Sequence, residues 1–221
     1  MAYAPMPVKA AADTITLANY NTAKADFEAT GVAIVTTKGD IPAATGNQAL
    51  ARLAIGAAGS KLVPDAGEAT GLAWQIQPAV RVYNDADSTP GTLAWVTVTF
   101  NTERWDTDAM HSTLANTDRL TVPAGGDGIY HIFANVRFGT NVWNDDEIGL
   151  QLLLNGGTVI QQHLEGQGWA NADMGLGIAT DYSLVATDYV VLQVWTKRAI
   201  DIIHVGNYSP EFGATWQRVA P

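Results

Sequence analysis

Residues 148–164 read IGLQLLLNGGTVIQQHL, two apolar runs on either side of Asn155-Gly156. That dipeptide tolerates the positive φ of a tight turn, so the stretch predicts a β-hairpin. Runs of the same texture extend outward on both sides at regular spacing: QIQPAVRVYN, TLAWVTVTF, DRLTVP and IYHIFANVRF before it, and MGLGIATDYSL, DYVVLQVWT, IDIIHVG and FGATWQRVA after it. Val, Ile, Thr and aromatic residues dominate them, as a pleated, half-buried surface requires. Gly, Asn, Asp and Pro fill the gaps, and no stretch here has the pattern of a long helix. About nine or ten short strands predict a β-sandwich, with the jelly roll as its leading form.

Alternation within these strands is incomplete. In IYHIFANVRF one face carries Tyr130, Ile132, Ala134 and Val136, and the other carries Ile129, His131, Phe133 and Asn135. In DYVVLQVWT, Tyr189, Val191, Gln193 and Trp195 oppose Val190, Leu192 and Val194. A monomeric sandwich leaves one face polar. Large groups on both faces predict burial of the outer face by another subunit, with cover by the chain's own loops as the alternative.

The chain before Trp74 is lighter. MAYAPMPV holds two prolines that keep its start extended or irregular. Leu17, Tyr20, Lys24 and Phe27 stand at helical spacing, diluted by Asn and Thr. GVAIVTT has the pattern of a short strand. Thr45-Gly46-Asn47-Gln48 fits a capping box, Leu50, Leu53 and Ala54 follow on one helical face, and Gly56 suits a left-handed stop, so TGNQALARLAIG predicts a helix of two turns. SKLVPDAGEATGLAW predicts two short strands around a Pro/Gly turn. The expected organisation is an anchor segment at 1–38, a helix-plus-hairpin linker at 39–75 and the sandwich at 76–221. A free two-turn helix is unstable in water, so the linker needs a partner, either copies of itself or a docking surface. Tyr20, Phe27, Leu50 and Leu53 are the expected anchoring contacts.

Of 221 residues, 12 are Lys or Arg and 22 are Asp or Glu, giving a formal charge of −10. The residues up to Trp74 hold five of the bases and six of the acids, so the excess lies in the remainder. An acidic chain without clustered Lys and Arg excludes nucleic acid as an expected partner. No apolar run reaches the ~18–20 residues of a membrane span. The N-terminus lacks the basic start and apolar stretch of a signal peptide, so export by that route is not expected. The absence of cysteine excludes disulfides, thiolate chemistry and Cys-ligated zinc.

Signals for chemistry are weak. His131 and His204 sit inside apolar β-runs, where a packed strand residue is the plain reading, and no Gly-x-Ser-x-Gly elbow exists. His163 and Glu165 share a strand face but lack a third ligand. Asp145, Asp146 and Glu147 in NVWNDDEIG, and Asp85 and Asp87 in YNDADSTPG, supply oxygens for calcium, although they lack EF-hand spacing and solvated turns are the default. Trp143 and Trp169 lie in expected loops, where they can stack on sugar rings or pin their own loops. A glycosidase would need a carboxylate pair in a groove, and none stands out.

Two stretches resemble known families. PAVRVYN, WVTVTFNTERWDTDAMHS, DRLTVPAGGDGIYHIFANVRF, LQLLLNG, LVATDYVVLQVW and EFGATWQRV together resemble the trimeric jelly rolls of the complement C-one-q and tumour necrosis factor superfamily, over about residues 76–221. The resemblance implies a homotrimer with no catalytic residues and no resident cofactor, calcium apart, since related trimers hold ions near their axis. The aromatic residues expected at the subunit contact are Tyr130, Phe133, Phe138, Tyr189, Trp195 and Phe212. Thr187 departs from the family's glycine before Asp188, and the loop EGQGWANADMG is this chain's own. The second stretch, KGDIPAATGNQALARLAIGAAGSKLVPDAGEATGLAW, resembles a module of bacteriophage head and tail appendage proteins, carried by Gly39-Asp40, Ala44-Thr45-Gly46, Ala51-Arg52-Leu53, Gly56, Gly59, Asp65 and Ala69 to Trp74. It implies a virion protein whose N-terminal segment docks on a major capsid or other virion protein. A capsid decoration protein or head fibre is the expected role. The alternative is a tail fibre-end adhesin for host surface glycan.

Overall fold

The computed structural model describes residues 17–27, 34–47, 49–139, 147–166, 173–206 and 208–220. The chain divides into two compact units, Met1–Trp74 and Gln75–Pro221.

In the first unit, Leu17–Phe27 forms helix α1. Leu17 and Tyr20 on it are exposed. Two hairpins follow. Strand β1 (Ile41–Gly46) pairs antiparallel with β2 (Ala49–Leu53), and β3 (Lys61–Pro64) with β4 (Leu72–Gln75). The second hairpin is the one expected around the Pro/Gly turn. The first replaces the two-turn helix expected from the capping box: Ile41 opposes Leu53 and Ala43 opposes Ala51. Nor do the described residues of GVAIVTT form a strand; Ile34 is in a turn, Thr37 in a bend, and Val35 and Thr36 between them are irregular.

Cross-strand contacts explain both corrections. The Asp40 side chain is fully buried, and its Oδ2 accepts the amides of Thr36 (3.0 Å) and Thr37 (2.7 Å) and pairs with Arg52 Nε at 3.1 Å. Arg52 also donates to Thr36 Oγ1 at 2.7 Å. One carboxylate thereby ties the entry loop to β2, which a helix would carry away from it. Gly56 is no helix stop. The Trp74 indole lies where its side chain would be, 2.5 Å from an ideal Cβ, and donates to the Ala54 carbonyl at 2.7 Å. Gly39, at φ 93°, lies likewise under Ile55.

Burial opposes the Asp40 charge, but the two amides and Arg52 outweigh it and hold the carboxyl below its ordinary value. A depressed carboxyl stabilises above its unfolded pKa of about 3.9 and loses that contribution as pH falls through the lower folded value. The Thr36 and Thr37 amides are therefore expected to lose hydrogen-exchange protection below about pH 4, well before the sandwich does. Equal loss in both units would contradict this.

Among its described residues the second unit holds ten strands: β5 (Ala79–Tyr83), β6 (Trp95–Thr97), β7 (Thr102–Asp106), β8 (Arg119–Thr121), β9 (Gly128–Phe138), β10 (Glu147–Leu154), β11 (Thr158–Gly166), β12 (Met174–Leu184), β13 (Tyr189–Thr196) and β14 (Glu211–Arg218). They form two antiparallel sheets. The first runs β11-β10-β13-β6, with β8 also on β13, and the second runs β12-β9-β14-β5-β7. The chain crosses between sheets at β9–β10, β11–β12, β12–β13 and β13–β14, while β10–β11 stays within one. This is the connectivity of a jelly roll. Strand β7, TERWD, has no apolar alternation in its sequence and was not expected, although its burial alternates. IDIIHVG is not a strand; it makes only isolated bridges from Ile202 to Ser88 and Phe138 and from Val205 to Ser209.

Inward positions alternate cleanly along β9, whereas β10 is buried at every position from Ile148 to Leu153. Tyr130, Ile132, Ala134, Val136 and Phe138 of β9 face Leu150, Leu152, Leu192 and Val194 of the first sheet within one core that also holds Val80, Val82, Phe100 and Phe212. Fully burying each Leu, Ile or Phe contributes about 1.5–3 kcal/mol.

The Asn155-Gly156 turn has the expected geometry, with φ of 51° and 71° and a bond from the Gly157 amide to the Leu154 carbonyl at 3.1 Å. Asn155 is braced against the β12–β13 turn: its amide donates to Asp188 Oδ1 at 2.8 Å, and its Oδ1 accepts the Tyr189 amide at 2.9 Å. In that neighbouring turn Thr187 sits at φ 76°. A β-branched residue there is strained by about 1–2 kcal/mol. Thr187→Gly relieves the strain but loosens the unfolded chain, for a net gain of about 1 kcal/mol and a higher melting temperature. A lower one would contradict the strain.

Candidate functional site

The outward face of the second sheet carries a row of residues aligned across all five strands. Register places Ala179, Phe133, Gly213, Arg81 and Trp105 side by side across β12, β9, β14, β5 and β7. Phe133 lies flat over β14, because an ideal Cβ on Gly213 would stand 2.4 Å from its Cζ. Trp105 is 43% exposed. In the next row stand Glu211 and Tyr83.

Glu211 has no exposed surface, although it is on the outward side. Arg81 and Arg104 cover it: Arg81 donates to Oε2 through Nε at 2.7 Å and through a terminal nitrogen, and Arg104 donates to Oε1 through Nε. Each guanidinium also lies over a ring, Arg81 on Trp105 and Arg104 on Tyr83, at 5.5 and 4.2 Å from the ring centres. His204 stacks beside Tyr83. The patch thus combines aromatic area with a hydrogen-bonded cluster of two guanidinium groups on one carboxylate, and aromatic residues and Arg are enriched at association surfaces.

At one end of this face lies an open depression of about 660 Å³ beside Asn135, Arg137, Asp173, Gly175, Gly177 and Tyr208. Arg137 donates to Asp173 Oδ2 and, at 3.3 Å, to the Tyr208 hydroxyl. The Asp173 hydrogen bond holds the guanidinium above its ordinary pKa.

The structure separates the residues expected at a subunit contact. Tyr130, Phe138 and Phe212 are corrections: each has no exposed surface and packs in the chain's own core, so none can touch another copy. Tyr130 donates to the Gly126 carbonyl at 2.6 Å, and burial, with Asp108 and Asp127 adding, pushes its hydroxyl well above the ordinary phenol range. Phe133 is on the outward face. Tyr189 and Trp195 belong to the other sheet, where Arg119 covers Tyr189 and Trp195 packs on Trp95 with ring centres 5.9 Å apart. Leu50 is exposed and Leu53 half-buried on β2. Tyr20 and Phe27 are on α1.

Trp143, Trp169, Asp145 and Asp146 lie outside the described residues. Glu147 opens β10 and is exposed. Asp85 accepts the Asn101 side-chain amide and Asp87 the His204 backbone amide, each at 2.6 Å, so both serve as loop caps. His163 and Glu165 approach to 3.6 Å. Among the described residues no three His, Cys, Asp or Glu side chains gather to hold a metal. His111 is buried between Glu103 (2.9 Å) and the Thr117 carbonyl (3.3 Å), and His131 meets Asp181 at 2.8 Å. Sequence reasoning missed the Arg81–Glu211–Arg104 cluster and the Arg137 depression, both of which depend on strand register.

No family model matches the sequence, and no curated protein matches it. Among solved structures, the chain is similar to murine APRIL at pH 5.0, with TM-score 0.49 and 12% identity over 64% of this chain and 99% of that one. It is also similar to the globular domain of zebrafish complement 1qA protein, with TM-score 0.47 and 14% identity over 65% and 99% of the two chains. A third is the Eiger TNF of S. frugiperda, with TM-score 0.47 and 12% identity over 66% and 95%.

Proposed function

We propose that this chain is a non-enzymatic, homotrimeric structural protein of a bacteriophage virion, displaying its jelly roll outward as a capsid decoration protein or head fibre. The observation that carries self-association is the outward face of the second sheet. It presents Phe133, Trp105 and Tyr83 where a solitary sandwich would carry a polar surface. A specific contact of on the order of 1,600 Å² in total, about half of it on each copy, would cover the Phe133, Trp105 and Tyr83 part of this face and leave the Arg137 end open. The virion placement rests on the appendage-like motif of residues 38–74. In its support, Gly39, Asp40, Arg52, Gly56 and Trp74 of that motif each have a defined packing or hydrogen-bonding task. Three anchors on one trimer add avidity for a capsid surface.

Electron microscopy of parent virions labelled with antibody against residues 75–221 tests this reading. Label over the head supports it, and unlabelled particles would overturn it. Label at the tail would favour a second reading, a fibre-end adhesin for host glycan, for which the open polar depression beside Arg137 speaks.

A further inference from the structure

We propose that the depression between β9 and β12 is a binding site for a neutral saccharide, whichever end of the virion carries the trimer. Its volume of about 660 Å³ lies in the range of small-ligand sites. Its floor is bare backbone at Gly175, while the Asn135 Oδ1 stands 3.0 Å from where a Gly177 side chain would begin. Gly175 and Gly177 occupy successive outward positions of β12, and nothing lies within 4 Å of where a Gly175 side chain would begin. Glycine weakens a strand, and in an unbulged stretch such as β12 opposite β9 it suits close approach by a ligand.

The walls mix apolar area with polar, planar groups. Arg137 is fixed between Asp173 and the Tyr208 hydroxyl. The exposed Asn135 amide makes no hydrogen bond among the described residues. Guanidinium, carboxylate and amide each offer paired hydrogen-bonding positions, which match neighbouring hydroxyls on one ring. The Arg137 and Asp173 charges cancel, so the site selects neither an anion nor a cation. Tyr208, 50% exposed, lines the depression, and an aromatic ring there can stack on the C–H side of a sugar. A ligand with adjacent neutral hydroxyls and one apolar face satisfies every wall at once.

Saturation-transfer NMR on the full-chain protein tests this with glucose, galactose, mannose and N-acetylglucosamine. At least one is expected to show saturable transfer. Gly175→Phe fills the depression from its floor and is expected to abolish the signal without changing the melting temperature. Tyr208→Ala is expected to weaken binding about tenfold, and it decides the matter if Gly175→Phe fails to fold. Absence of transfer from all of these sugars would overturn the proposal, as would transfer that survives both substitutions. A Gly175→Phe protein whose solution mass changes, with no sugar bound by the parent, would instead make the depression a contact between copies of the chain and overturn it equally.

Discussion

Replacing Glu211 by Ala is expected to lower the free energy of unfolding by about 3–5 kcal/mol. The Glu211 side chain has no exposed surface, whereas Arg81 and Arg104 retain 27% and 20% of theirs. Removing the carboxylate leaves two guanidinium groups facing each other over a void, each already committed to a ring, Trp105 or Tyr83. Water reaching the arginines holds the loss toward the lower end. Glu211→Gln keeps the shape and one acceptor but not the charge, and charge-assisted hydrogen bonds are about twice as strong as neutral ones, so about half the loss is expected. The measurement is a guanidinium midpoint at fixed protein concentration, because association contributes to apparent stability. An unchanged midpoint would show that the cluster is only a surface ornament.

Phe133→Lys is expected to convert the assembly to monomers at micromolar concentration while leaving the sandwich folded. Phe133 points away from the core and rests on Gly213, so the substitution creates no core cavity. Within an interface the ammonium would be buried without a partner, at a cost of several kcal/mol. Each 1.4 kcal/mol weakens association about tenfold, and a trimer contains the defect three times. Light scattering reads the mass and circular dichroism the fold. A Phe133→Lys protein of unaltered mass would remove this face from the contact.

The sandwich was legible because its signals are local. Asn155-Gly156 sets a turn through its own φ, and alternation along IYHIFANVRF assigns Tyr130 inward and Phe133 outward without reference to any partner strand. The same parity excludes Tyr130 and Phe138 from a contact that includes Phe133; grouping the aromatics by type obscured this. The β1–β2 hairpin was not legible. Thr45, Gln48, Leu50 and Leu53 satisfy helical spacing over so short a span that the pattern fits either structure. The decision falls to Asp40 and Arg52, whose pairing depends on register. Glu211 was hidden for the same reason, since only strand pairing brings Arg81 and Arg104 over it. The depression needed both register and the loop that carries Tyr208.

The mass of the full chain in solution, read by native mass spectrometry, tests self-association through the outward face most directly. A species of three times the 23.5 kDa chain is expected. A single 23.5 kDa species at micromolar concentration would contradict it and leave Phe133 and Trp105 as surface residues without a role.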